Sequence, residues 1–297
     1  MKILFVAVFT PNSTNVAQSR GFQQIGCGVY EYDYRARLSQ CGHDVRLRDD
    51  DLIDTVSKLK PDVVVFSKCN NMHYRVIDEC NKFSKTVLWY MDALNNFDTE
   101  LIDKIKRVNL FVNGIEGVVS EGLKYNENTI FIEQCPDEEM NFWIHPTEIS
   151  DYKYDTTFIG NVDPGSGTHS DRLRYKNEVG FIHFDNVYGL EHNEVVNQTK
   201  INLNFAHTST NGASVRVMKI LAAGGFLLTT SWDGIGETFN VGEHLDTFST
   251  PQELKDKIKY YLNNETERDR IRHNGYKLVQ DNYMSKHWAR RILDYVK

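Results

Sequence analysis

Long apolar runs are absent from this chain. No stretch approaches the ~18 consecutive apolar residues of a membrane-spanning helix. The apolar opening, residues 1–9, runs directly into Thr10-Pro11-Asn12 and not into a small-residue cleavage site, so it reads as a buried first strand rather than a signal peptide. The five cysteines, Cys27, Cys41, Cys69, Cys80 and Cys135, are odd in number and form no C-x-x-C pair, which argues against a disulfide framework or a zinc site and fits a reducing, cytoplasmic setting. The ten histidines show neither H-x-x-x-H nor H-E-x-x-H spacing, so no metal is assigned. A G-x-S-x-G nucleophile elbow is missing, which removes the usual hydrolase signature. A G-x-G-x-x-G fingerprint and a P-loop are missing too, which weakens dehydrogenase and kinase readings. There are no internal repeats and no low-complexity tract. Positive charge is also short: 34 Lys and Arg stand against 41 Asp and Glu, and the first 150 residues hold 16 basic and 22 acidic side chains. An acidic first half offers no global attraction to nucleic acid or anionic lipid, although a local basic groove stays compatible with it.

What is present describes an ordinary globular chain, with 40% apolar and 25% charged residues over 297 positions. That length exceeds one hydrophobic core, so two domains of ~150 residues are expected. The most informative stretch is Ile201 to Glu237. Ile201, Leu203 and Phe205 alternate with Asn202 and Asn204, a period-two pattern that can bury one face of a strand. A polar run from His207 to Ser214, with Asn211-Gly212 turn chemistry, leads to helical spacing over Val215 to Ala223 and a Gly224-Gly225 stop. Phe226 to Thr230 reads as the next strand. In such a βαβ unit ligands sit at the carboxyl ends of the strands, where helix amino termini favour anions. Arg216 and Lys219, three residues apart in the first turns, can both project near that amino end and form a diphosphate cradle. A solvated helix face explains the same spacing. After the second strand, Gly234-Ile235-Gly236-Glu237 combines glycines that permit close backbone approach with a carboxylate able to accept from ligand hydroxyls; a plain loop acid is the alternative.

Taken in order, Lys2 to Phe9 is a strand followed by a long polar loop, Thr10 to Gly28, whose length suggests function. Its candidates include Asn12, Ser13, Arg20 and Gly26. A helix over Val29 to Gln40, a glycine stop at Gly42 and a second strand over Val45 to Leu47 are expected next. Asp49-Asp50-Asp51 reads as a helix-start acid cluster rather than a metal site. Val63 to Phe66 is apolar throughout, as a parallel strand buried on both faces should be, and Lys68, Asn70, Asn71 and His73 follow its carboxyl end. The strand Thr86 to Tyr90 delivers Met91-Asp92, so Asp92 stands where a carboxylate can take a proton from an acceptor hydroxyl or orient it. Helix capping is the competing role. Leu110 to Val112 ends in Asn113-Gly114, Ile130 to Ile132 is the last strand of this half, and Glu133 to Pro146 forms a proline-marked crossing.

The second half opens with the strand Thr156 to Ile159, then Gly160-Asn161 and a loop rich in glycine and serine up to His169. The helix Ser170 to Glu178 carries Arg172, Arg174 and Lys176. Phe181 to Phe184 is a strand leading to Val187-Tyr188-Gly189, where Tyr188 could stack on a base or pack into the core. Gln252 to Leu262, Glu265 to Asn282 and Ser285 to Val296 are amphipathic terminal helices.

The order Leu203-Asn204, Ser214, Arg216, Ala222-Ala223-Gly224-Gly225 and Gly234-Ile235-Gly236-Glu237, with Pro251-Gln252-Glu253-Leu254, Glu267-Arg268 and Gly275-Tyr276 behind it, resembles the carboxyl-terminal signature of GT-B glycosyltransferases. It is most similar to the CgeB-type group among relatives of the retaining family 4. The likeness covers about Asp155 to Val296 and extends more weakly over the first half. It implies an α/β fold of two Rossmann-like domains facing each other across a cleft: an acceptor-side domain over 1–145, a donor domain over 146–282, and a final helix over 283–297 that crosses back to the first domain. By the same resemblance Gly160, Asn161 and Arg172 approach the donor phosphates and Tyr188 the base. Asn204, Ser214, Arg216, Lys219, Gly236 and Glu237 complete the donor side. Asn12, Ser13, Arg20, Gly26, Asn70 and Asn113 face the acceptor, and Asp92, Arg216 and Lys219 carry the chemistry. One departure stands out: Lys219 occupies the place where the family normally has Glu.

The implied activity is sugar transfer from a nucleotide-sugar, such as a UDP- or GDP-sugar, to an acceptor hydroxyl. No further cofactor and no metal are expected. The acceptor is a glycan or a modified nucleic-acid base of a phage or virus. A nucleotide-sugar epimerase and a non-catalytic nucleotide-sugar or glycan-binding protein on the same fold are the alternatives. The donor's sugar and base, the anomeric outcome and the oligomeric state are not readable from one chain.

Overall fold

The computed structural model describes residues 1–92, 97–144, 152–162, 170–206 and 212–296, and these form two compact units. The first comprises Met1–Gln134 with Ser285–Lys297, the second Cys135–Met284. The division thus falls at Gln134/Cys135, where the sequence suggested 145/146; His145 and Pro146 lie outside the described residues.

The first unit is a parallel six-stranded sheet. Its strands are β1 (Lys2–Ala7), β2 (Gly28–Asp33), β3 (Val63–Ser67), β4 (Lys85–Tyr90), β5 (Leu110–Asn113) and β6 (Thr129–Phe131). Their spatial order is β2-β1-β3-β4-β5-β6. Every residue of β3 is buried, as its unbroken apolar run requires of a strand covered on both faces. The helices between strands are α1 (Thr14–Gln24), α2 (Tyr34–Gln40), α3 (Val45–Leu59), α4 (Arg75–Cys80), α5 (Thr99–Ile105) and α6 (Val119–Gly122).

Three expectations fail here, each for a physical reason. The loop expected over Thr10 to Gly28 is mostly α1, capped by Ser13, whose hydroxyl accepts from the Asn15 amide. Its sequence is polar, but Ala17 and Phe22 are buried. Val29 to Asp33 is strand rather than helix: β2 is an edge strand paired only to β1, so its side chains stay largely exposed and show no clear alternation. Val45 to Leu47 is the start of α3 and not a strand. Asp44 caps it by accepting from the Arg46 and Leu47 amides, and Val45 and Leu47 sit on its solvent face. Asp49 consequently lies inside the helix, buried against Arg48, and not at its start.

The last helix, α13 (Ser285–Val296), packs on the first unit. Its Trp288 is buried against Trp89 and Phe22, with ring centroids 5.3 and 5.5 Å apart. Gly21 makes this possible, since a Cβ there would stand 2.3 Å from the Ser285 carbonyl oxygen.

The second unit is a parallel five-stranded sheet of β7 (Tyr154–Ile159), β8 (Ile182–Phe184), β9 (Thr199–Asn204), β10 (Leu227–Thr230) and β11 (Asp246–Phe248). The order is β11-β10-β9-β7-β8. Around it run α7 (Ser170–Val179), α8 (Gly189–Asn197), α9 (Val215–Ala222), α10 (Ile235–Thr238), α11 (Pro251–Asn263) and α12 (Glu265–Asn282). Here β9 corrects the one-face reading: both its faces are buried, because it is the central strand. The polar face survives through hydrogen bonds. Asn202 donates to the Val196 carbonyl at 3.3 Å and Asn204 to Thr229 Oγ1 at 2.9 Å. Gly224 closes α9 in a left-handed conformation, φ 71°, with the Trp143 ring where a Cβ would be. Among the described residues no helix is long and apolar enough to cross a membrane.

Candidate functional site

Strand order reverses between β7 and β9, and in open α/β sheets the carboxyl ends at such a reversal are where ligands bind. The chain places Arg216 at this point. From the first turn of α9 its Nε donates to the Ile159 carbonyl at 2.7 Å, the last residue of β7, and its Nη1 donates to Asn204 Oδ1 at 3.0 Å, the last residue of β9. Asn204 also accepts from Ser214 Oγ at 3.3 Å, tying the residue before α9 into the same cluster. Gly160 follows β7 with φ 145°, and a Cβ there would lie 2.5 Å from Arg216 Nη2. Four residues singled out in the sequence, Gly160, Asn204, Ser214 and Arg216, therefore meet.

Arg172 joins them. It is only 7% exposed, so its place on α7 is not a solvated face. Its Nη1 donates to the Asn161 carbonyl at 2.9 Å, and its guanidinium lies 5.4 Å from the Phe158 ring centroid. The Arg216 guanidinium is 5.0 Å from the same ring. Phe158 thus serves both cations, while His183 stacks on it and bonds the Gly160 carbonyl at 2.6 Å. Arg174, by contrast, is an exposed partner of Glu178.

The electrostatics are one-sided. Burial, then the charge of Arg172, pulls Arg216 down to about 9; burial alone takes Arg172 to about 10. Both remain cations at neutral pH. Lys219 is also lowered, first by burial and then by Arg216, with Asp137 and Cys135 opposing. It stands in the last turn of α9 rather than in the first turns, about 4.5 Å further along the axis than Arg216. His192, on α8, was not singled out in the sequence. It is 7% exposed and held neutral, its pKa pushed down to about 3 by burial and then by Lys219 and Arg216. Its Nδ1 has no partner among the described residues. Nothing in the pattern of α8 marks this histidine; only the packing of α8 beside α9 brings it near the cations. Among the described residues Arg172, Arg216 and Lys219 form no salt bridge, and Asp137 is the carboxylate whose charge reaches Lys219.

At the margins, Tyr188 precedes α8 and is 58% exposed, which rules out core packing for its ring. Gly236 and Glu237 lie exposed on the four-residue α10, and a Cβ at Gly236 would meet nothing within 4 Å. The loop segments 163–169 and 207–211 lie outside the described residues.

In the first unit Asp92 and Asn70 line one pocket of about 380 Å³ at the ends of β3 and β4. The Asp92 carboxylate pairs with Lys68 Nζ at 2.6 Å, and the next described helix, α5, is capped by Asp98. The remaining acceptor-side residues do not join this pocket. Ser13 caps α1, Arg20 lies within α1, Gly26 turns the chain toward β2 with φ 84°, and Asn12 is exposed in the turn before α1. Asn113 is fully buried, its Oδ1 accepting from the Ile115 amide.

The model of a family described as glycosyl transferase-like matches residues 139–294, more than half of the chain. The chain belongs to this family. Comparison of the glycosyltransferase with curated proteins by sequence finds no match. Solved structures show the same fold at low identity. Anabaena HepE, solved with UDP and glucose, aligns with TM-score 0.66 at 12% identity over 99% of this glycosyltransferase and 98% of that chain. Sucrose-phosphate synthase from Thermosynechococcus elongatus gives 0.66 at 9% identity over 99% and 97%. AviGT4, a glycosyltransferase of avilamycin A biosynthesis, gives 0.63 at 10% over 99% and 96%. The two parallel sheets of this glycosyltransferase are those of the GT-B fold.

Proposed function

We propose that this glycosyltransferase takes a nucleotide-sugar and passes the sugar to an acceptor hydroxyl, holding the donor diphosphate at the β7/β9 strand ends. The observation that carries this reading is Arg216, fixed by Ile159 and Asn204 beside a glycine that leaves its guanidinium room. An anion arriving there meets Arg216 and the amino end of α9, with Lys219 further along the same helix. In the reaction the bond from the anomeric carbon to the diphosphate oxygen breaks and one to the acceptor oxygen forms. The diphosphate leaves with the electron pair, and the hydroxyl proton goes to a base, for which Asp92 or the departing phosphate is the candidate. Fixed cations aimed at the developing diphosphate charge stabilise that step electrostatically, and on this reading they replace a divalent metal. Tyr188, exposed near the same end of the sheet, is the candidate for stacking on the base. UDP, which HepE binds, is the first nucleotide to test.

A thermal-shift panel of UDP, GDP, ADP, TDP and CDP, with and without EDTA, tests the reading. A ligand that binds only the folded state raises the melting temperature by mass action. One nucleotide should raise it, and EDTA should leave the rise intact. No rise with any of the five would overturn the donor site, and loss of the rise in EDTA would overturn metal independence. Conversion of the sugar donor without an acceptor would mark an epimerase instead.

A further inference from the structure

The chain leaves β3 through a backbone that non-glycine residues seldom adopt. Lys68, Cys69 and Asn71 have φ of 58°, 52° and 60°. Such conformations persist only where the surroundings over-determine them, and here they do. Arg48 Nη2 donates to the Asn71 carbonyl at 2.6 Å, and Asp49 Oδ2 accepts from the His73 amide at 3.1 Å. These two side chains are 0% and 1% exposed and pair with each other at 2.7 Å. Buried Lys104 donates to the Cys69 carbonyl at 2.7 Å, and the Lys68 amide donates to the Trp89 carbonyl at 2.9 Å. The loop therefore presents Lys68 and Asn70 in one fixed arrangement.

Asn70 lines a pocket of about 380 Å³ with Tyr90, Asp92, Asp98 and Glu100, a volume within the ~300–1,000 Å³ typical of small-ligand sites, and Lys68 stands behind that wall through its pair with Asp92. Its wall is rich in carboxylates and carboxamides. The one ammonium group among its described lining residues is committed, Lys104 to Glu100, and Lys68 outside the lining holds Asp92. Among the described lining residues a phosphate would find no free cation and three carboxylates. A hydroxyl-rich ligand would find acceptors in Asp92 and Asp98 and both donors and acceptors in Asn70.

Resting on the proposed transferase function, we propose that this pocket takes the acceptor, and that the acceptor it selects is an uncharged saccharide unit, not a nucleic acid. Nucleic-acid binding draws on unpaired Lys and Arg that neutralise phosphates, and the described residues lining this pocket supply none. Asp92 and Asn70 are the residues that contact the sugar. Arg48, Asp49 and Lys104 are positioning residues that hold the loop.

Saturation-transfer NMR on the full chain tests this, with the methyl glycosides of glucose, galactose, mannose and N-acetylglucosamine as probes. Glucose 6-phosphate, glucosamine and a short oligothymidylate are run beside them, and the UDP thermal shift is read in parallel. At least one methyl glycoside should receive saturation, and Asn70→Ala and Asp92→Asn should each reduce it by more than half. Asn70 is exposed, so its variant folds and keeps the comparison meaningful. Stronger binding of the phosphate, the amine or the oligonucleotide, no glycoside binding, or signals untouched by both variants would each overturn the assignment. A UDP shift without glycoside saturation defeats this inference and leaves the donor site standing; saturation without a UDP shift does the opposite.

Discussion

Replacing Gly160 by alanine probes the donor side through a single methyl group. The added Cβ would lie 2.5 Å from Arg216 Nη2, while unstrained contacts begin near ~3.5 Å, so the guanidinium must retreat by about 1 Å. A shift of that size stretches the bonds at 2.7 Å to Ile159 and 3.0 Å to Asn204 past useful length. Hydrogen bonds to a charged group contribute ~1.5–3 kcal/mol each, and φ 145° adds ~1–3 kcal/mol for any side chain. Partial relaxation leaves an expected loss on the order of 3 kcal/mol. Urea denaturation reads that loss, and nucleotide titration should weaken at least ~10-fold, equivalent to about 1.4 kcal/mol. The double variant Gly160→Ala with Arg216→Ala isolates the clash: with no guanidinium to displace, only the backbone cost remains, so the two losses should fall short of additive by ~1 kcal/mol or more. Wild-type stability and affinity in Gly160→Ala, or full additivity in the pair, would refute the reasoning.

Three further outcomes follow from single contacts. Arg48→Met should destabilise by about 3–5 kcal/mol because it strands the buried Asp49 charge, and the double change Arg48→Met with Asp49→Leu should cost less; a double variant worse than the single one in urea would contradict this. The unfolded imidazole of His192 takes its proton near 6.5 and the folded one near 3, so the stability it supports is complete above 6.5 and drains as pH falls toward 3. Over that window the loss is on the order of a few kcal/mol, and His192→Asn should flatten the stability–pH slope; identical slopes would count against it. Tyr188→Ala should leave the unfolding midpoint unchanged, since the ring is exposed, yet weaken nucleotide binding by ~1–3 kcal/mol if it stacks on the base. Tyr188→Phe should bind as the wild type does.

The sequence was most informative where local pattern and tertiary demand agree. Val63 to Phe66 could only be a buried strand, and the place of Arg216 near the end of the strand that closes in Asn204 was legible from the strand–loop–helix order. Elsewhere distant packing decided. The polar Thr14–Gln24 is a helix because α13, more than 260 residues later, covers its Gly21 face. The signal at Asp44 was a helix cap, but the exposed Val45 and Leu47 imitated a strand. Asn202 and Asn204 looked like a solvent face and are buried, because the neighbouring strands and α8 supply their partners. No pattern along α8 announces His192, since its environment is made by residues from another helix. The pairing of Lys68 with Asp92, 24 residues apart, needs the β3/β4 register to be known.

The central claim is that Arg216 anchors the donor diphosphate. Calorimetric titration of the stabilising nucleoside diphosphate into wild type and Arg216→Ala tests it most directly. Loss of a charge-assisted contact predicts a drop of about 1.5–3 kcal/mol, roughly 10- to 150-fold in Kd, with the variant still folded. Equal affinity in the two proteins would contradict the account and place the diphosphate elsewhere.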